Sequence, residues 1–260
     1  MSRVLSSVLL VFFVVLTSSC VNSGGKAVGT SVGGDVLRVG ISANAPPIAF
    51  KKGGKLQGLE VDFAQQLARH LEKQIKFVEL AWNKQISSLE EGKIDIIMSG
   101  MTITPKRAYR VAFSKPYLRT GQILLVKSEK ANHFSSGIYS VMNSKYTVAT
   151  VRNTTGDLFV TKNIHGIDVA RYDKSEKAVK ALISGKVDVV IHDAPVLCYY
   201  AATSDKANLT PILQFATEEY LAWAVNKTDT TLLADINQFI DEAGADKRMQ
   251  ATVKRWLPQL

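Results

Sequence analysis

The stretch IDIIMSGMTITPKR, Ile94 to Arg107, starts as an oily strand and ends on hydroxyls, a bare backbone and a guanidinium. Thr104-Pro105 has the grammar of a helix start, with Thr as N-cap and Pro at the first helical position. Ser99, Gly100 and Thr102 then occupy a strand-to-helix turn. Free N–H groups and the helix dipole at such a turn favour an anion. Arg107, about three residues into that helix, can hold a carboxylate through two parallel hydrogen bonds, and Gly100 lets backbone approach a ligand closely. Taken alone, the stretch reads equally well as a capped helix with a surface Arg. A second turn, RNTTGD at Arg152 to Asp157, offers Thr154, Thr155 and further N–H groups to the same carboxylate. Asp193, two residues before Pro195, adds the opposite charge. Arg107 and Asp193 together suit a zwitterion, carboxylate on the first and ammonium on the second. Charge-assisted hydrogen bonds contribute about 1.5–3 kcal/mol each. Micromolar affinity needs about −8 kcal/mol after the costs of ordering, so a few such bonds suffice and no covalent chemistry is required.

Reactive constellations are missing from the sequence. There is no Ser/His/Asp order and no metal-ligand spacing, and His70, His133, His165 and His192 lie apart. His192 adjoins Asp193, but strand alternation is expected to turn it away from any cleft.

The elements that must position these groups alternate. VLRVGIS (Val36 to Ser42) reads as a strand, and GLEVDFAQQLARHLEKQ as a helix with Phe63, Leu67 and Leu71 on one face. IKFVEL is a strand, Gln85 to Glu90 a short helix, and the opening stretch the next strand. Such alternation implies parallel strands flanked by helices, with ligands bound beyond the carboxyl ends of the strands. An internal echo follows: SLEEGKIDIIMSG (Ser88 to Gly100) matches ALISGKVDVVIHD (Ala181 to Asp193). Each unit has a Gly where a helix C-cap needs positive φ, and each strand delivers polar groups at its end. Two similar lobes are the simplest architecture that uses both. In the second half, TVATV, IDVARYD and the echo strand alternate with helices, EYLAWAVNK alternates as one strand, and the terminal helical region is expected to break at Gly244 and return to the first lobe.

The N-terminus has Arg3, the apolar run VLLVFFVVL and small residues before Cys20, the anatomy of a secretory signal. The run is too short to span a membrane, which takes about 20 apolar residues. Cys20 reads as a lipidation site, although Thr17 stands where an aliphatic residue is usual; ordinary cleavage nearby is the alternative. Residues 21–35, rich in Gly and Ser, read as a flexible tether. About 225 residues follow, enough for one large or two modest domains. Beyond Cys20 only Cys198 remains, so no internal disulfide is available in an oxidising compartment. The net charge of +9 is scattered rather than clustered, and no nucleic-acid motif is present.

With LRVGIS…PP, GLEVDFAQQLA, GKIDIIMSGMTITPKR, FSKPY, NTTGD and GKVDVVIHD on view, the chain resembles the periplasmic substrate-binding proteins of polar amino-acid ABC transporters. It is nearest to those for arginine and other basic amino acids, and the resemblance covers Val36 to Leu260. It implies an α/β fold of two lobes (type II), two mixed sheets flanked by helices, two hinge crossovers and a ligand cleft between lobes. Lobe 1 is expected to span residues 36–120 plus 221–260, and lobe 2 residues 121–220. By the same resemblance Ser99, Gly100, Thr102, Arg107, Thr155 and Asp193 hold the α-carboxylate and α-amino groups, and the neighbouring Met101 and Thr154 count with them as candidate contacts. Trp82 matches an aromatic wall that could stack on a guanidinium; a plain core Trp is the other reading. Glu60 stands where an acid near the ligand tail is common, or else compensates a helix N-terminus. Ser42 replaces a frequent acid and Ala45 a frequent aromatic; Ser42 and Asn44 could hydrogen-bond a guanidinium without adding charge. The expected ligand is arginine, with lysine, ornithine, histidine and glutamine open. The expected partner is a membrane ABC permease, the expected protein a monomer without cofactor in the periplasm, anchored through Cys20. The rival readings are a dehydratase-like enzyme on the same fold and a surface adhesin or antigen that keeps the binding scaffold.

Overall fold

The computed structural model describes residues 36–258 apart from 143, 205 and 206. The signal, Cys20 and the tether lie outside the described residues. Two five-stranded mixed sheets organise the chain. In the first, Val36–Ile41 pairs in parallel with Gln74–Glu79 and with Ile96–Ile97, while Ala224–Val225 runs antiparallel to Ile96–Ile97 and to Ala112–Phe113. In the second, Val148–Val151 pairs in parallel with Val169–Tyr172 and Val189–Asp193, and Gln122–Lys127 runs antiparallel between Val189–Asp193 and Leu209–Ile212. The two segments that join the sheets, Leu118–Thr120 and Glu219–Leu221, pair with each other. The fold is thus the expected two-lobed α/β architecture with two crossovers.

Helix Leu59–His70 buries Phe63 and Leu67 against the first sheet, and the C-terminal helices Thr230–Ala245 and Arg248–Trp256 return to the same core through Ile236, Phe239 and Met249. Aliphatic clusters on the two faces of the second sheet centre on Leu182 with Val190 and on Val126 with Val189. Gly92 and Gly185 follow the echoed helices with φ of 67° and 72°, as the capping argument requires. Cys198 packs partly buried against the second sheet as a free thiol.

Two local expectations fail. Gly244 stays inside the terminal helix, and the break falls at Lys247, whose φ is 65°. EYLAWAVNK is not one strand: Glu219–Leu221 belongs to the crossover ribbon and Ala224–Val225 to the first sheet, with the fully buried Trp223 between them. Alternation alone could not show that the chain changes partners midway. The helix opened by Thr104 is a single turn, Pro105–Ala108, although Thr104 caps it by accepting from the Arg107 N–H at 3.2 Å. One turn has little dipole to offer an anion, so attraction at this end rests on Arg107.

Candidate functional site

Between the carboxyl ends of the two sheets lies a small cavity of about 40 Å³. Ser42, Asn44, Trp82, Ser99, Gly100, Thr102 and Arg107 line it from the first lobe, and Thr154, Thr155 and Asp193 from the second. The structure therefore brings together ten of the twelve candidate residues. It does not bring Met101 or Glu60. Met101 is buried in the core with Leu89, Ile97 and Val111.

Glu60 is completely buried behind the cavity wall. Its carboxylate accepts from the Gly100 N–H at 2.7 Å, the Tyr117 hydroxyl at 2.7 Å and the Trp223 indole at 2.8 Å. It holds Gly100 in place rather than meeting a ligand tail, and Gly100 has the positive φ, 67°, that the turn needs. Burial pushes its carboxyl up to about 7 despite the donors from Tyr117, Gly100 and Trp223. A carboxyl whose folded value lies above its ordinary 4.5 binds more protons in the folded state between those two values. Stability therefore falls as pH rises from about 4.5 to about 7, by about 3 kcal/mol from this group. Urea unfolding of the wild type between pH 4.5 and 7.5 should show that decline, and Glu60→Gln should flatten it; a decline of equal slope in the variant would assign it elsewhere.

Arg107 is 9% exposed; its Nη1 donates to the Thr102 carbonyl at 2.9 Å, and its guanidinium lies 5.2 Å from the centre of the Trp82 ring. Burial pushes the guanidinium below its ordinary value, opposed by the charges of Asp193 and Glu219. Asp193 is held below the usual carboxylate range: burial opposes this, and His192, the Gln122 amide and the Arg107 charge outweigh it. His192 Nδ1 lies 2.7 Å from the Asp193 backbone nitrogen and 3.5 Å from its carboxylate. Contrary to the alternation argument, His192 lines the cavity, since the strand ends at Asp193 and the helix Ala194–Thr203 begins at once.

The lobes also touch one another at the cavity mouth. The Trp82 indole donates to the Asn153 carbonyl at 3.0 Å, and the Ser175 hydroxyl donates to the Asn44 carbonyl at 2.7 Å. Trp82 is thus engaged by Arg107 on its ring and by the opposite lobe on its nitrogen, and it lines the cavity rather than filling the core. Trp82→Ala should then weaken L-arginine and L-glutamine alike, by about tenfold, because a cation–π contact and an inter-lobe hydrogen bond are lost. Calorimetry with both amino acids checks this; a loss confined to arginine would return the ring to the ligand.

Thr154 caps the helix Thr155–Asn163, accepting from the Asp157 N–H at 3.3 Å, and leaves the first N–H groups of that helix at the cavity. Gly156 has no side chain where a Cβ would meet Gln122 Oε1 at 2.5 Å. Ser42 and Ser99 hydrogen-bond inward: Ser42 Oγ to the Leu80 carbonyl, the Ser42 N–H to Ser99 Oγ, and the Gln85 amide to both hydroxyls. Asp193 is the one carboxylate of the lining. A wider outer cavity shares Asn44 and Trp82 and carries Glu79, Asp173, Arg152 and Lys174. Among the described residues no cluster of His, Cys, Asp or Glu could hold a metal ion, and no helix is long and apolar enough to cross a membrane.

Sequence reasoning missed Gln122 and Glu219. Gln122 Nε2 reaches the Asp193 carboxylate and Glu219 Oε1, the latter at 2.9 Å. Its one legible signal is a polar residue opening a strand that is otherwise apolar.

Comparison with known proteins agrees with this fold. The model for bacterial extracellular solute-binding proteins, family 3, matches residues 37–259. The L-cystine-binding protein TcyJ of Escherichia coli (strain K12) is 30% identical over 222 residues, covering 85% of this chain and 82% of TcyJ. An ancestral arginine-binding protein solved with arginine is 31% identical, with a TM-score of 0.79, covering 86% of this chain and 98% of its own. The ancestral amino acid-binding protein AncCDT-1, described as a precursor of cyclohexadienyl dehydratase, is 31% identical with a TM-score of 0.79, covering 85% and 95%.

Proposed function

The chain belongs to the bacterial extracellular solute-binding proteins, family 3, and from that premise we propose that it captures one free L-amino acid between its lobes and delivers it, unchanged, to a membrane ABC permease. The observation that carries this reading is the single cavity in which Arg107 and Asp193 meet. Arg107 takes the α-carboxylate together with N–H groups at the start of the helix Thr155–Asn163, and Asp193 takes the α-ammonium. In this reading the chain changes lobe between residues 120 and 121 and again between 220 and 221, works as a monomer without a cofactor, and sits on a membrane through lipidated Cys20. The dehydratase and adhesin readings have no residue in the site that favours them.

L-Arginine comes first among ligands, supported by the likeness to an arginine-bound ancestral protein. Its guanidinium would extend past Asn44 and Trp82 toward Glu79 and Asp173 of the outer cavity. L-Glutamine is the second reading, favoured by an inner lining whose one carboxylate is already assigned to the ammonium; a cation there would lack a partner. A thermal-shift screen over all L-amino acids and L-cystine tests both, since a ligand bound by the folded state alone raises the melting temperature. Arginine should give the largest shift. A larger shift with glutamine establishes the second reading, turnover of the bound compound revives an enzyme, and no shift with any amino acid removes the proposal.

A further inference from the structure

Thr102 and Thr155 come from opposite lobes and both line the cavity. Their hydroxyls donate to the same atom, Oε2 of Glu219, at 2.7 and 2.8 Å. The other oxygen of Glu219 accepts from Gln122 Nε2 at 2.9 Å and from the Thr217 hydroxyl at 2.9 Å. Glu219 is buried on the return crossover, outside the cavity lining, and a carboxylate is purely an acceptor. A hydroxyl has one proton. With that proton committed to Glu219, each threonine presents lone pairs to the cavity. Lone pairs repel a carboxylate and attract N–H. Gln122 Nε2 extends the pattern, its two hydrogens shared among Glu219, Asp193 and Thr155 Oγ1, the last at 3.2 Å, so that Thr155 accepts one hydrogen bond there and keeps one lone pair free.

We propose that Glu219 is a positioning residue that turns the Thr102 and Thr155 hydroxyls into acceptors and, with Asp193, makes the subsite for the ligand's ammonium. The proposal rests on the amino-acid-binding reading. It also revises the sequence-based expectation that the hydroxyls of the NTTGD turn serve the carboxylate, which is left to Arg107 and backbone N–H groups. Selectivity for an α-ammonium over a plain carboxylic acid is then set from a residue that never touches the ligand.

Glu219→Gln tests this, because it keeps the shape while letting an amide donate to both hydroxyls and freeing their protons for the cavity. L-Arginine and L-glutamine are titrated by calorimetry, each beside its desamino counterpart with hydrogen in place of the ammonium. In the variant, affinity for the amino acids should fall about 10- to 100-fold, whereas affinity for the desamino acids holds or rises. The preference for the ammonium therefore shrinks at least tenfold. Equal losses for amino and desamino acids would make Glu219 a structural brace and overturn the proposal. If Glu219→Gln does not fold, Thr102→Val and Thr155→Val carry the same comparison, and a loss confined to the desamino acids overturns it. Failure of the wild type to bind any amino acid refutes instead the reading beneath it.

Discussion

Replacing Asp193 by alanine abolishes amino-acid capture and leaves the fold standing. The carboxylate sits at the end of the strand Val189–Asp193, where it closes no core contact, so its removal opens no large void. What it removes is the one carboxylate of the lining. A ligand ammonium drawn between closing lobes would then be desolvated without an anionic partner, and truncating one member of a buried charged pair costs about 3–5 kcal/mol. Affinity should fall by about 10²- to 10⁴-fold. Asp193→Asn should fall short of that, since an amide oxygen still accepts a hydrogen bond but carries no charge. Calorimetric titration with the ligand identified by thermal shift measures both variants, with the melting temperature of the unliganded proteins as the control for folding. Unchanged affinity in Asp193→Ala would take the residue out of the site and the zwitterion argument with it.

The second large effect is at the opposite pole. Arg107 makes three different uses of its guanidinium: a hydrogen bond to the Thr102 carbonyl, a stack with Trp82, and a positive charge facing Asp193 and the cavity. Lysine reproduces the charge alone, because an ammonium has no planar fork and stacks less well on an indole. Arg107→Lys should therefore lose about 10- to 100-fold in affinity, and Arg107→Ala 100-fold or more, with a ligand carboxylate left unpaired. The unliganded Arg107→Ala protein should also melt at a lower temperature than the wild type, since Asp193 and Glu219 lose their nearby cation. Full rescue of binding by lysine would mean that a point charge suffices and that the fork is not used. Both experiments address the same premise from its two ends, and the site stands only if neither end can be removed.

Much of the scaffold was legible because it depends on local rules. The helix Leu59–His70, the short helix Gln85–Glu90, the Thr104 cap and the glycines after both echoed helices all follow from spacing and backbone chemistry within a few residues. Arg107 and Asp193 were legible because each ends a patterned segment with a charge that a core strand has no use for. Glu60 was misread because two nearby donors in space, Tyr117 and Trp223, stand 57 and 163 residues away in the chain. Glu219 was invisible for a like reason: Thr102, Thr155 and Gln122 lie 117, 64 and 97 residues from it. In TEEYLAW nothing distinguishes Glu218, exposed beside Arg119, from the buried Glu219.

Residue order by itself determined the alternation of elements, the two lobes, the capped turns and the pair of opposite charges that each lobe carries to its edge, since all of these arise from contacts near in sequence. Tertiary structure decided which polar groups face the cavity and which face one another. It made Glu60 a wall support, made Trp82 a partner of Arg107, brought His192 to the lining and directed two hydroxyls at Glu219. Hydrogen bonds depend on position to within a few tenths of an ångström. Where the donors and acceptors belong to different lobes, that position is set when the two sheets and their crossovers pack together, at a range no local pattern reaches.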